Sequence, residues 1–324
     1  MKAIQVHEFG DPEVLRYGDV DAPSVGPGLI HVRLKAAGIN PLETALRSGN
    51  HPRAASLQLP HIPGSDAAGE VLAVGDGVTG YSVGDRVYGA ATTGSYAEEA
   101  LLDPTRTALL PDNLSFDEGA SLPIVLYTAY YAVVYKAAIR AGETLLVHGA
   151  AGGVGSMAIQ VAKAAGARVI ATVSSAEKGA FATSLGADVV INYREEDFVE
   201  RCREETGGQG VDAVIEMVAT DNFDKDCAAL RVFGRLVVLG AGTGKSPSGT
   251  ITYPPFYSKN IDVLGFSLFN AAPVFGDMLR QVGRLLSDGR VKPMVGETVP
   301  LEEAPRSHEL LMSGQVFGKI VLTM

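Results

Sequence analysis

A chain of 324 residues exceeds the roughly 100–200 residues of a common single domain, so it reads as two domains sharing one substrate cleft. With 46% hydrophobic and 20% charged residues it has the make-up of an ordinary globular protein, which excludes a disordered or fibrous chain. A formal net charge of -10 repels a phosphate backbone over most of the surface and excludes nucleic-acid binding as a main activity, so any anion site must be local.

The amino terminus, Met1-Lys2-Ala3-Ile4-Gln5, reaches Glu8 without a continuous apolar run, so no secretory signal is expected. From there to about residue 122 short β-like runs alternate with glycine and proline punctuation such as Pro23 to Gly28. In Ile30-His31-Val32-Arg33-Leu34-Lys35 apolar and polar residues alternate at period two, which predicts a mostly β unit. After Pro123 comes a helical stretch; its apolar part, Ile124 to Val134, stops at Lys136 and is too short to span a membrane. Repeated strand-then-helix segments follow, with continuous apolar strands predicted at Thr144–Val147, Arg168–Val173, Val189–Ile191, Ala213–Glu216, Arg235–Leu239 and Ile261–Gly265. Six parallel strands separated by helices imply a doubly wound sheet over 123–265. The tail, 266–324, carries one amphipathic helix, Val274 to Leu286, then strand-like pieces ending in Gly318-Lys319-Ile320-Val321-Leu322, and is expected to rejoin the first unit. No repeat of solenoid or propeller period is present. Two cysteines, Cys202 and Cys227, supply neither a disulfide framework nor a thiolate zinc site and suit a reducing cytoplasm.

The most informative local motif is Leu145-Leu146-Val147-His148-Gly149-Ala150-Ala151-Gly152-Gly153-Val154-Gly155, a glycine-rich turn between a buried strand and an alanine-rich helix. Counted from Ala150 it is a variant dinucleotide fingerprint whose first glycine has become alanine. Gly152 lets the backbone approach a pyrophosphate, Gly155 lets helix pack on strand, and Ala151, Gly152, Gly153, Val154 and Gly155 present free amides at the positive helix end. Val154, Ala158, Val161, Ala162 and Ala165 predict one apolar helix face, with Gly166 at the carboxyl-terminal cap. Where an NAD enzyme presents a carboxylate to the ribose 2'-hydroxyl, Thr172-Val173-Ser174-Ser175-Ala176-Glu177-Lys178 places hydroxyls and a cation. Ser174, Ser175 and Lys178 are therefore expected to hold a 2'-phosphate, which favours NADPH; the alternative is that Ser175 caps the next helix and Lys178 is a solvated surface residue. Tyr193, with Arg194, follows the third strand, where a ring can stack on the adenine or pack at the rim. His61 and His148 have no partner near in sequence and are read as structural.

Beyond this turn, separated segments agree in order and spacing with a known family. They are Ala37-Gly38-Ile39-Asn40-Pro41, Pro63-Gly64-Ser65-Asp66-Ala67-Ala68-Gly69, Val83-Gly84-Asp85-Arg86-Val87, Gly94-Ser95-Tyr96-Ala97-Glu98, Thr128-Ala129, Leu185-Gly186-Ala187-Asp188, Ile215-Glu216-Met217 and Gly318-Lys319. Over essentially its whole length the chain resembles the zinc-free, zeta-crystallin-like quinone oxidoreductase branch of the medium-chain dehydrogenase/reductase superfamily. The resemblance implies an α/β fold in which a Rossmann sheet, 123–265, joins a mostly β GroES-like domain, 1–122 with 266–324. It implies a cytoplasmic homodimer or homotetramer that transfers hydride from NADPH to a quinone, or in a second reading to an enone or enoyl thioester. A third reading keeps the dinucleotide site in a non-catalytic NADPH-binding or RNA-binding protein. By the same resemblance Asn40 lies beside the nicotinamide or substrate, Thr128 and Lys319 touch the cofactor, and Gly240, Ala241, Phe266, Ser267 and Leu268 line the nicotinamide end. The places that carry zinc ligands in related alcohol dehydrogenases hold Asn40, Ser65 and no cysteine, so no metal is expected. One departure concerns the family tyrosine of the Asn-Pro-x-Glu-Thr-Tyr segment, which is Ala45 here.

Overall fold

The computed structural model describes residues 1–218, 222–239 and 252–324. The chain divides into two compact units: Met1–Val125 with Val274–Ser287 and Pro293–Met324, and Leu126–Pro273 with Asp288–Lys292. Where the sequence suggests boundaries at 122/123 and 265/266, the structure divides at Val125/Leu126 and Pro273/Val274. Residues just past 265 stay with the second unit because the Phe266 ring packs on Tyr131, centroids 5.0 Å apart.

In the first unit the strands are β1 (Lys2–Val6), β2 (Leu15–Asp19), β3 (Ile30–Gly38), β4 (Asp66–Val74), β5 (Arg86–Ala91) and β6 (Glu99–Leu109). The second contributes β7 (Thr144–Val147), β8 (Arg168–Val173), β9 (Val189–Asn192), β10 (Val211–Glu216), β11 (Leu230–Val238) and β12 (Asp262–Gly265), and the tail adds β13 (Val295–Pro300) and β14 (Lys319–Thr323).

The β unit is built on the period-two pattern of β3, where Ile30, Val32 and Leu34 are buried while Arg33 faces solvent. Strand β3 pairs antiparallel with β4 and again with β6, so β3 to β6 close on themselves around Ile30, Val32, Leu34, Ala67, Val71, Val87, Ala100 and Leu102. The tail does return: β14 pairs antiparallel with β3 through Val321 opposite Gly38. Gly38 permits that seam, because a Cβ there would strike the Ala120 carbonyl oxygen and lie 3.0 Å from both Asp66 Cβ and Lys319 Cε.

The second unit is a six-stranded sheet in the order β12-β11-β10-β7-β8-β9, with every pairing parallel. This is the doubly wound order expected from the sequence, and its winding reverses between β7 and β10, where such sheets leave a crevice at their carboxyl ends. Leu145, Leu146 and Val147 on the central strand are fully buried, as a parallel sheet covered on both faces requires. A helix over Gly153–Ala164 follows β7, and Gly166 just beyond it takes φ +84. It differs from the single apolar face read from its sequence, since every residue from Gly155 to Ala162 is buried. Part of the second contact is polar: Gln160 bonds the Lys292 backbone in both directions, at 3.0 and 2.8 Å.

A Cβ on Gly155 would collide with the Gly149 carbonyl oxygen and lie 2.8 Å from Ala150 Cα, both backbone atoms. Replacing glycine by alanine inside a helix ordinarily gains up to about 1 kcal/mol, whereas overpacking costs about 1–3 kcal/mol. Gly155→Ala is therefore expected to be net destabilising, and thermal unfolding followed by circular dichroism should show a midpoint lowered by several degrees.

Candidate active site

Strand β7 ends at Val147 and delivers the chain into the turn Gly149–Gly152. Gly149 is left-handed at φ +58 and Gly152 is the N-cap of the Gly153–Ala164 helix. Its N-cap residue makes no side-chain cap bond and no acidic residue lies in its first turn, so its leading amides have no carboxylate of their own turn to compete with. Gly152 differs from Gly155: a Cβ there would meet nothing nearer than the Gly149 oxygen at 3.4 Å. The fold itself does not demand glycine at Gly152, whereas a pyrophosphate lying against the turn would. Ala151 is buried beneath the turn while Gly152, Gly153 and Val154 reach solvent. These residues fit a dinucleotide.

At the neighbouring strand ends the structure brings together the other predicted contacts. Ser174 follows β8 and Tyr193 follows β9, and the Tyr193 amide bonds the Val173 carbonyl at 3.1 Å. Ser174, Ser175 and Lys178 are half-buried, and Tyr193 is exposed. Ser175 has a second employment: it caps the helix Ala176–Ser184 by accepting the Lys178 amide at 3.3 Å, and it donates to Glu177, whose carboxyl is held below its ordinary value chiefly by that bond. The capping alternative for Ser175 is thus present in the structure. Thr128 is nearly buried on the helix Pro123–Tyr130, Phe266 packs on Tyr131, and Ser267 precedes the short turn of helix at Leu268–Asn270. Gly240 and Ala241 lie outside the described residues.

Asn40 and Lys319 belong to the β unit, where they meet in one buried cluster. Lys319 Nζ donates to Asp66 Oδ2 at 2.9 Å and to Asn40 Oδ1, while Asn40 Nδ2 donates to Asp66 Oδ2 at 3.0 Å and to Glu43 Oε1 at 3.4 Å. Asp66 also accepts the Ile124 amide at 2.9 Å. Asn40 is 1% exposed and Lys319 4%, so in this structure both spend their polar atoms on the interior. Three of the segments that carry the family resemblance, around Gly38-Ile39-Asn40, Gly64-Ser65-Asp66 and Gly318-Lys319, converge at this point.

A second buried cluster sits under the glycine-rich turn. His148 Nδ1 meets Thr172 Oγ1 at 2.9 Å, and Nε2 meets Asp226 Oδ1 at 2.9 Å and Glu216 Oε2 at 3.7 Å. Burial lowers the His148 pKa and pushes the Asp226 carboxyl up to about 7. The three groups are close enough to hold a cation. Two ligands each about 2.0–2.1 Å from one tetrahedral zinc would stand about 3.3 Å apart, however, so the 2.9 Å contact is that of a hydrogen bond.

Two family models match the chain, "Alcohol dehydrogenase GroES-like domain" over residues 26–112 and "Zinc-binding dehydrogenase" over residues 153–286. A quinone oxidoreductase of Rattus norvegicus is 39% identical, the match covering 100% of this chain and 98% of the relative. The crystal structure of Escherichia coli quinone oxidoreductase complexed with NADPH superposes with a TM-score of 0.90 at 34% identity, covering 100% of both chains. A mycobacterial protein, also complexed with NADPH, gives 0.90 at 36% identity and again covers both chains fully. The chain belongs to the quinone oxidoreductase family of medium-chain dehydrogenases/reductases.

Within that family the donor set here suits no thiolate-bound zinc. Asn40 and Ser65 replace the softer ligands, and the cysteines lie elsewhere, buried in the core of the parallel unit. Burial pushes Cys202 up to about 12 and Cys227 up to about 11, so neither offers a thiolate. In the sequence Asp66 and Glu216 stand within the family segments, while Glu43 and Asp226 carry no motif of their own. Their one local signal is that acidic residues stand in otherwise apolar or glycine-rich runs.

Lys319→Met leaves the buried Asp66 carboxylate without its cation, and breaking a buried pair costs about 3–5 kcal/mol. Urea unfolding should register that loss, and adding Asp66→Asn to the same chain should restore part of it, because the remaining charge is then removed as well.

Proposed function

We propose that the protein is a zinc-independent NADPH:quinone oxidoreductase, and the observation that carries this reading is the uncapped, carboxylate-free helix start at the switch point of the parallel sheet. Relatives spanning the whole chain bear the name quinone oxidoreductase, and two full-length structural neighbours are complexes with NADPH. When bound, the dinucleotide supplies a hydride. Gly152, Gly153, Val154 and Gly155 hold its pyrophosphate with backbone amides, and Ala151 shapes the turn beneath it. Ser174, Ser175 and Lys178 take the 2'-phosphate, with Tyr193 against the adenine. Thr128, Phe266, Ser267 and Leu268 line the nicotinamide end, together with Gly240 and Ala241; Asn40 is assigned to the nicotinamide or substrate, and Lys319 to the cofactor. The work of these residues is to orient the reacting carbons and exclude water, since an electron-poor quinone draws the hydride without a Lewis acid.

The partner beyond the small-molecule acceptor is a second copy of the chain. Among the described residues strand β12 is one of the two edges of the parallel sheet, Val263 on it is 40% exposed, and Phe233, Tyr253 and Tyr257 on the same unit are 69%, 69% and 55% exposed. A sheet edge and exposed aromatics are features that proteins cover. No helix among the described residues is long and apolar enough to cross a membrane, and two free thiols suit the reducing cytoplasm.

The deciding experiment follows the reduced nicotinamide absorbance against a panel of quinones, enones and enoyl thioesters, with NADPH and NADH in parallel. Turnover of quinones with NADPH preferred is expected; no oxidation with any acceptor would overturn the assignment. Lys178→Ala should raise the KM for NADPH about tenfold or more, the loss of one charge-assisted contact of about 1.5–3 kcal/mol, and leave that for NADH unchanged. Light scattering should find a dimer or larger assembly in the parent chain, and Val263→Lys, which places a charge on the sheet edge, should shift it toward monomer.

A further inference from the structure

The residue that leads into the glycine-rich turn is clamped at both nitrogens of its ring. His148 Nδ1 meets Thr172 Oγ1 at 2.9 Å, and Nε2 meets Asp226 Oδ1 at 2.9 Å with Glu216 Oε2 3.7 Å away. The backbone is held in the same place: the His148 amide donates to the Ile215 carbonyl at 3.1 Å, and the Ala150 amide, inside the turn, donates to the Thr172 carbonyl at 3.3 Å. Thr172 thus touches the imidazole through its hydroxyl and the turn through its carbonyl. All of these residues belong to the parallel unit, and His148, Glu216 and Asp226 are buried in it. His148 is the joint through which a buried acid reaches the turn.

The two carboxyls beside the imidazole are unequally provided for. Glu216 Oε1 accepts the Val218 amide, and its Oε2 accepts Asn222 Nδ2 at 3.0 Å. Asp226 spends Oδ1 on His148, and its buried Oδ2 has no hydrogen-bond partner among the described residues. Donors to a carboxylate favour its charge and burial without them opposes it, so Asp226 is where a proton enters. Burial pushes Asp226 up to about 7, with Glu216 offsetting part of the rise, and burial also lowers His148. The thiols within reach of the Asp226 charge, Cys202 on the helix Phe198–Glu205 and Cys227 beside it, are pushed up to about 12 and about 11, chiefly by burial, and stay protonated. On the same helix as Asp226, Lys225 turns to Asp197 at 3.2 Å and Asp224 accepts the Thr252 hydroxyl at 2.7 Å. Phe198 packs edge-on against the imidazole, ring centroids 4.9 Å apart.

We propose that Asp226, acting through His148, couples proton uptake to dinucleotide binding: a proton on Asp226 favours a pyrophosphate on the turn, and a pyrophosphate favours that proton. The inference rests on the dinucleotide reading above and adds a regulation of that site. The turn offers an anion its amides and the positive end of a helix. An ionised Asp226 behind the turn subtracts from that field, in an interior where charges are felt more strongly than in water. Protonation removes one negative charge and leaves the oxygen that holds His148 in place. Coupling between two sites is reciprocal, so the Asp226 pKa rises when the anion arrives. Affinity is therefore full below the pKa of the free protein and falls as the pH rises through that of the complex. His148 and Asp226 are positioning residues, acting on the coenzyme by way of the turn.

Calorimetric titration of the full chain with NADPH tests the coupling. From about pH 6 to about pH 9 the dissociation constant should rise about tenfold, within the range usual for coupled sites. At about pH 7.5 the 2'-phosphate, with a second pKa of about 6, is already ionised, and binding should take up about half a proton, read from heats in buffers of different ionisation enthalpy. Asp226→Asn keeps an oxygen for His148 but cannot titrate. It should match the parent at about pH 6 and bind NADPH about tenfold more tightly than the parent at about pH 9, a gain that a weakened fold would not give. His148→Phe fills the place beside Phe198 without either hydrogen bond and should weaken binding about tenfold at about pH 6. Nitrogen NMR of the His148 imidazole, assigned by its loss in His148→Phe, reads the parent protein directly: the signal should titrate near pH 7 without coenzyme and at higher pH with it. A parent affinity that stays flat across this range, or an imidazole titration that NADPH does not move, would overturn the coupling. No heat with NADPH at any pH would instead remove the dinucleotide reading beneath it, and the titration of the unliganded protein still shows whether Asp226 takes a proton near pH 7.

Discussion

The ion pair between Lys319 and Asp66 joins residues 253 apart in sequence and is nine-tenths buried or more on both sides. It fixes the end of the chain, β14, to the first residue of β4, and with Asn40 it binds the turn after β3 into the same polar knot. A buried pair is weak evidence for net stability, since its desolvation opposes its attraction. What it does provide is specificity of register. A slip of β14 along β3 would leave an ammonium or a carboxylate alone in the interior, and Gly38 leaves room for the two side chains where they meet.

The parallel unit depends on a different economy of contact, in which backbone rather than side chain makes the site. Strand β7 is buried on both faces, the helix that follows is packed through small residues, and the turn joining them contributes amides without a lysine. Shape and dipole are what that turn offers, so a chain whose formal net charge is -10 still presents a local positive end there. Thr172 and His148, one on the second strand and one at the end of the first, are pinned beneath this turn by Asp226 and Glu216 from the other half of the winding. The crevice is thereby braced from both sides of its switch point.

What could be read from sequence follows from where the information lies. The six parallel strands and the Gly149–Gly155 turn were legible because each is encoded by neighbours: apolar runs, a glycine spacing, a cap. The lack of a thiolate zinc site was legible from residue type alone at Asn40 and Ser65. The two polar clusters were not, since Glu43, Asp66 and Lys319, or His148 and Asp226, acquire their meaning from partners brought together only by the closed sheet and the double winding. His148 has no partner near in sequence, and the one it meets in space lies 78 residues away. Ser175 shows the intermediate case, a residue whose local pattern fitted both a cap and a phosphate donor and whose hydroxyl is engaged in the cap. The helix Gly153–Ala164 was legible as a helix but not as one buried all round, because its small residues invite contacts on faces that a hydrophobic stripe does not mark.

The placement of the two cysteines bears on the protein's own durability. Quinones and enones are electrophiles that add covalently to sulfur anions, and an enzyme that concentrates such molecules is exposed to arylation of its own side chains. Cys202 and Cys227 are sunk in the core of the parallel unit and kept in the protonated form, so the electrophile meets no nucleophilic sulfur from cysteine on the protein surface. The folded chain thus keeps both thiols from such compounds.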